Sequence, residues 1–149
     1  MKTILVGLDG SPRAGVVLQE AVFLAGKTGA KLILFRSVGM PAEIPHDIWK
    51  ETGASLVDTL RTHAEAYLAE CVKAVPPEML QARRVMIGNA WQSVCEAARE
   101  EKVDLIVIGS HGYSGLDHLL GTTAAKIVNH AACSVLVVRS PEVVNPPNA

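Results

Sequence analysis

Glycines 109, 112, 115 and 121, interleaved with Ser110, Ser114, Thr122 and Thr123, make a segment whose residue types suit a bound anion. Glycine lets a backbone come close to a ligand and takes positive φ without strain. Hydroxyl groups add donors. The segment follows the apolar run Leu105-Ile106-Val107-Ile108 and leads into a helical pattern carried by Ala124, Ile127, Val128 and Ala131. Free N–H groups at a helix start favour negative charge. Open α/β sheets also bind ligands beyond the carboxyl ends of their strands. A phosphate is the group these features fit together.

Other phosphate and catalytic motifs fit less well. A P-loop needs GxxxxGK[ST], but five residues separate Gly115 from Gly121 and Thr122 stands in the lysine position. Gly7-Leu8-Asp9-Gly10 does not supply the GxGxxG of a dinucleotide fold. A receiver domain has, by its family's pattern, an Asp after strand three and a Lys after strand five; here Gly88 and Arg139 stand there. A flavodoxin-like phosphate loop belongs after strand one, where this chain has Asp9 and Pro12. The pairs His111/His118 and His130/Cys133 do not match a zinc spacing. No GxSxG elbow is present, so Ser110 beside His111 is not a triad.

The elements that must position the glycine segment read as alternating strand and helix. Thr3–Asp9 is strand one, followed by the turn Gly10-Ser11-Pro12. Ala14, Val17, Leu18, Ala21, Leu24 and Ala25 repeat as one helical face, which Gly26 and Gly29 stop. Lys31–Val38 is strand two and Gly39–Pro45 a loop. A long helix over roughly Asp47–Ala74 ends at Pro76-Pro77. Gln81–Ile87 is strand three. Asn89 with Gln92 makes an N-cap for a helix bearing Trp91, Val94, Cys95 and Ala98 on one face. Leu105–Ile108 is strand four and Ser134–Val138 strand five. Apolar strands separated by helices imply a parallel sheet covered on both faces. Right-handed crossovers then allow a doubly wound α/β domain.

Composition narrows the function further. The 149 residues are 49% hydrophobic and 19% charged, with a formal net charge of -1. That balance fits one globular domain with a real core and gives a nucleic-acid surface no bulk electrostatic support. No run is long and apolar enough for a membrane span. The start Met1–Asp9 is too short for a signal peptide, and the expected location is cytoplasmic. Cys71, Cys95 and Cys133 form no CxxC pair and read as structural thiols.

Gly109-x2-Gly112-x8-Gly121-Thr122, together with Ile4–Ser11, Asp104–Gly112, Lys126–Ala131 and Cys133–Arg139, resembles the universal stress protein family over nearly the whole chain. The resemblance implies a universal stress protein domain over residues 1–140 with a Pro-rich tail over 141–149, and a five-stranded parallel sheet of order 3-2-1-4-5. It implies an ATP site, with or without Mg2+, although the family's ATP binders usually space the last two glycines by nine residues instead of eight. Asp9 would meet the adenosine end, with Gly7 and Ile108 as neighbouring walls. Ser37 would read adenine through its backbone, where the family usually has valine. Gly109 and Gly112 would approach ribose and phosphates, and Gly121, Thr122 and Thr123 would give the phosphates N–H and hydroxyl donors. The family also implies a homodimer through Ser134–Val138.

The segment holds no P-loop lysine, no arginine and no catalytic glutamate, the charge placement on which phosphoryl transfer relies. The expectation is therefore a nucleotide-dependent regulatory protein with slow or absent turnover, acting on an unidentified protein partner, without nucleic acid or membrane. Two alternatives stand beside it. One is a partner-binding dimer of the same fold that has lost nucleotide. The other is a slow ATPase or nucleotidyl transferase.

Overall fold

A computed structural model describes residues 1–39, 46–110 and 121–139; the side chains of 46–54 fall outside that description. The elements run β1 (Thr3–Gly7), α1 (Ala14–Thr28), β2 (Lys31–Val38), α2 (His46–Val72), a 3-10 turn (Pro77–Met79), β3 (Leu80–Ile87), α3 (Ala90–Glu100), β4 (Leu105–Gly109), α4 (Thr122–His130) and β5 (Ser134–Val138). The sheet is five-stranded in the order β3-β2-β1-β4-β5. Every pairing is parallel.

Helices cover both faces, as the unbroken apolar strands require. Ile4, Val6, Leu32 and Leu34 pack with α1 and α2 residues such as Val17, Leu18 and Leu68. Leu5, Ile33, Phe35 and Ile106 pack on the other face with Val94, Ala97 and Ile127 of α3 and α4. Strand alternation sends neighbouring residues to opposite faces, so each strand feeds two cores. Ile4, Ile33, Phe35 and Ile106 are fully buried.

Several element ends differ from the sequence expectation. β1 stops at Gly7, and Asp9 lies in the turn beyond it. Leu8 still donates its N–H to the carbonyl of Phe35 at 2.9 Å, so the sheet bond outlives the strand by one residue. α1 passes through Gly26 and ends on the left-handed C-cap Gly29. The buried stripe Ala14, Val17, Leu18, Ala21 and Ala25 is the face the spacing predicts. α2 ends before Ala74, and a 3-10 turn follows that the proline pair had concealed. Asn89 caps α3, its side chain accepting from the N–H of Gln92 at 3.3 Å. Gly121 is the N-cap of α4 without a side-chain cap, so neither Thr122 nor Thr123 caps this helix. Ala131 lies just outside it as the C-cap.

Among the described residues no helix is long and apolar enough to cross a membrane. The cysteines are free thiols: Cys95 is buried and Cys71 and Cys133 half-buried. Burial raises the pKa of Cys95 and of Cys133.

Candidate functional site

The strand order places β1 between β2 and β4, the point at which the winding of the sheet reverses. Crossovers leave in opposite directions there, so the carboxyl ends of the strands open onto a crevice. A cleft of about 720 Å³ occupies that position, at the ends of β1, β2 and β4 and the starts of α1, α3 and α4. That size is in the range of small-molecule sites. Gly7, Asp9, Ser37, Ile108, Gly109 and Thr123 of the sequence-derived set line it. Gly112 lies outside the described residues, as do His111, Tyr113 and Gly115.

At the β1 end the wall is flat. A Cβ on Gly7 would stand 3.0 Å from Cγ2 of Ile108, and one on Gly109 would stand 3.3 Å from Cγ2 of Val17. Any side chain at Gly7 would push into the cleft or into Ile108. Asp9 sits at the mouth and is exposed. Its Oδ1 accepts from the N–H of Ser11 at 2.9 Å, which fixes the carboxylate against the turn. Its other oxygen makes no bond among the described residues.

Ser37 offers its main chain. In a parallel strand, alternate residues direct their N–H and C=O to alternate neighbours. Phe35 bonds β1, through Leu8, and Val38 bonds β3, through the N–H of Gly88 at 2.8 Å. Ser37 has the parity of Phe35, so its N–H and C=O face the β1 side beyond the end of that strand, into the cleft. Its hydroxyl meanwhile donates to the carbonyl of Gly88 at 3.4 Å.

The opposite pole lies between β4 and α4. Ser110 is 1% exposed, its N–H donates to the carbonyl of Val138 at 3.0 Å, and its own carbonyl accepts from the N–H of Gly121 at 3.0 Å. The N–H of Gly121 is therefore taken, contrary to the donor role the sequence suggested for it. Gly121 and Thr122 also fall outside the cleft lining. The amides of Thr122, Thr123 and Ala124 open the helix and have no intrahelical acceptor, since the first helical bond is Ala125 to Gly121. Ser110 Oγ is buried in this pole without a partner among the described residues. Unpartnered buried hydroxyls are costly and call for an acceptor or donor.

Among the described residues the charged ones lining the cleft are Asp9, Arg13 and Arg36. Sequence reasoning missed both arginines. Arg36 was the available signal: a guanidinium near the carboxyl end of an apolar, doubly buried strand needs an explanation. Among the described residues no group of His, Cys, Asp and Glu could hold a metal ion.

Comparison with known proteins agrees with this geometry. The family model described as the universal stress protein family matches residues 1–139. Universal stress protein A homolog 1 of Coxiella burnetii is 32% identical over 140 residues, spanning 92% of this chain and 95% of the relative. The universal stress protein UspA from Lactobacillus plantarum superposes with a TM-score of 0.78 at 26% identity, over 93% of this chain and 97% of its own. A universal stress protein solved in complex with cAMP superposes with a TM-score of 0.63 at 25% identity, over 93% and 96%. Taken with the reversal-point cleft and the uncapped α4, these matches establish that the chain belongs to the universal stress protein family.

Proposed function

We propose that the chain is a regulatory protein of the stress response that binds an adenine nucleotide, ATP foremost, in the β1/β4 cleft. The observation that carries the reading is the pairing of two poles in one cavity. At one end the main-chain edge of Ser37 and the carboxylate of Asp9 match the edge of adenine and a ribose hydroxyl. At the other, the amides of Thr123 and Ala124, which have no intrahelical acceptor, and the hydroxyl of Ser110, which has no partner among the described residues, match an anion. Asp9 stands away from that anionic pole, where it does not repel phosphate. The structure of a family relative with cAMP supports the same ligand class.

Gly109 and Gly112 belong to the phosphate approach in this reading, and Gly121 acts by holding the turn. Any Mg2+ would be held by the phosphates and hydroxyls, because no carboxylate lines the α4 end among the described residues. Among the described residues no lysine or glutamate lines that end, which favours slow or no hydrolysis. Nucleotide would act by ordering the Gly109–Gly121 loop for a protein partner in the cytoplasm.

Homodimerisation through β5 belongs to the same proposal. The two sheet edges differ. β3 carries Arg83 and Arg84, whereas β5, Ser-Val-Leu-Val-Val, carries no charge. Charged edges resist strand pairing and uncharged ones invite it.

Calorimetric titration with ATP, AMP and cAMP tests the binding. Saturable binding of one nucleotide per chain, with hydrogen exchange slowed over 111–120, is the expected result. No binding at millimolar nucleotide would reject the reading and leave the partner-binding alternative.

A further inference from the structure

Arg36 occupies an unusual setting. It is on β2, one residue before Ser37, and lines the cleft. Its guanidinium carbon lies 4.7 Å from the centre of the Tyr67 ring, and the group packs directly over Gly10. Gly10 has φ 76°, a conformation that favours glycine, and a Cβ there would collide with the guanidinium. The seat thus depends on Gly10 twice. Nε and Nη1 are shielded from water and have no hydrogen-bond partner among the described residues. No salt bridge reaches Arg36 among the described residues. Burial drives the Tyr67 phenol up to about 12, with Cys71 adding to the rise, so the ring beneath the arginine stays neutral.

A guanidinium is always charged and presents a planar fork of donors that matches phosphate. Held without an acceptor, it is costly. The ion pairs made by Arg84 with Glu100 and Glu101, at 2.7 and 3.2 Å, show how a neighbouring strand satisfies the same side chain. Among the described residues Arg36 has no carboxylate within ion-pair distance, although Asp9 lines the same cleft. It is also remote in sequence from the α4 pole, flanked instead by Ser37 and packed over the turn that holds Asp9. These are the adenosine-side groups of the proposed function, on which this inference rests.

We infer that Arg36 is a specificity residue for a second phosphate carried on the ribose of the bound adenine nucleotide, at the 2′ or the 3′ position. The side chain exchanges its stacking contact with Tyr67 for a forked pair with that phosphate, by rotation about its terminal torsions. Asp9 keeps the remaining ribose hydroxyl, and the guanidinium charge offsets the repulsion between its carboxylate and the added phosphate. A nucleotide with a single 5′-phosphate group would leave Arg36 in its seat.

The test compares AMP with its 2′-phosphorylated and 3′-phosphorylated forms on the full chain, by calorimetry, for the native protein, Arg36→Met and Arg36→Lys. The expected result is that one of the two bisphosphates binds about tenfold or more tightly than AMP. Arg36→Met should abolish that preference, bringing the bisphosphate to within about twofold of AMP on the same variant, and Arg36→Lys should keep part of it. Equal affinities for all three nucleotides would overturn the inference and leave the adenine-nucleotide reading standing. A preference that survives Arg36→Met would overturn it too. Failure of every nucleotide to bind would end both. Unchanged circular dichroism and thermal midpoint for Arg36→Lys guard against a folding artefact.

Discussion

The amide of Gly121 donates to the carbonyl of Ser110 at 3.0 Å, so the end of β4 and the start of α4 are tied across the segment 111–120. The N–H of Ser110 is in turn held by Val138 on β5. The two ends of the glycine-rich segment are thereby fixed to the sheet, whatever its length. The closure entropy of a loop changes slowly with length. Inserting one glycine between Gly112 and Gly121, which restores a nine-residue spacing, should cost about 0.1 kcal/mol. The thermal midpoint should be unchanged and ATP affinity altered less than about threefold. A large fall in the midpoint would show that the spacing is set by packing.

Gly7 is the most exacting position in the cleft wall. Its missing Cβ would stand 3.0 Å from Cγ2 of Ile108, a buried side chain with little freedom. Gly7→Val should cost about 1–3 kcal/mol by overpacking. Side-chain atoms directed away from Ile108 would fill the cleft, and ATP affinity should fall by more than about tenfold, or 1.4 kcal/mol. Denaturant unfolding and calorimetry read the two effects separately. Full affinity in a folded Gly7→Val protein would place the nucleotide elsewhere.

Asp9 has two separable roles. One oxygen holds the N–H of Ser11, and the residue lines the cleft, where the proposed function gives the carboxylate a nucleoside contact. Asp9→Asn keeps an acceptor for Ser11 and should leave the thermal midpoint near that of the native protein. Asp9→Ala removes it and should cost about 0.5–1.5 kcal/mol. Both variants should weaken adenosine and ATP by a similar factor, since the lost contact is to the nucleoside. A loss confined to ATP would place Asp9 near the phosphates and reverse its assignment.

Acid stability should depend on Asp104. Its carboxylate accepts from the N–H groups of Lys2 and Thr3 at 2.7 and 2.9 Å, and these bonds hold its pKa below the ordinary aspartate value, with the N-terminal amine and Lys2 adding to the effect. A pKa lowered in the folded state adds stability that is complete above the unfolded value, near pH 4, and is lost as pH falls through the folded value. Asp104→Asn should therefore lower the thermal midpoint at pH 7 and converge on the native protein in acid. A difference independent of pH would refute the electrostatic origin. Because the carboxylate is fully exposed, salt should shrink the difference.

Tyr67 should titrate late. With its pKa raised to about 12 by burial, then by Cys71, its phenolate should form well above the ordinary value of 10.0. A group whose folded pKa is raised contributes stability that is complete below the unfolded value and lost as pH rises through the folded one. Alkaline absorbance titration of Tyr113→Phe isolates Tyr67, and Cys71→Ala should lower its midpoint. A midpoint at the ordinary tyrosine value would contradict the described packing.

Much of the fold could be read from the sequence because buried parallel strands need no alternation to be recognised. Leu105–Ile108 and Ser134–Val138 show their role by composition and by the helical patterns between them. Ends were harder to read. Leu8 is apolar and still bonded to β2, so nothing local marks Gly7 as the last residue of β1. Gly26 is tolerated inside α1 because its surroundings leave room, the nearest atom to an added Cβ being Cε of Met79 at 3.5 Å. In the site, residue types located the cleft but not the state of each donor. Whether the Gly121 amide is free depends on where Ser110 points its carbonyl, a long-range fact with no composition signal. Arg36 was hidden for a related reason: its significance lies in missing partners, which only three dimensions reveal.

The parity of Ser37 has a consequence for how the chain can change over time. A base recognised through N–H and C=O is read by atoms that every amino acid except proline supplies alike. Substitution at position 37 can therefore alter the padding beside the base without erasing which base is chosen. Only a shift of the strand itself, or proline, would change the reading. On the proposed reading, serine at position 37 therefore leaves the donor and acceptor offered to the base unchanged.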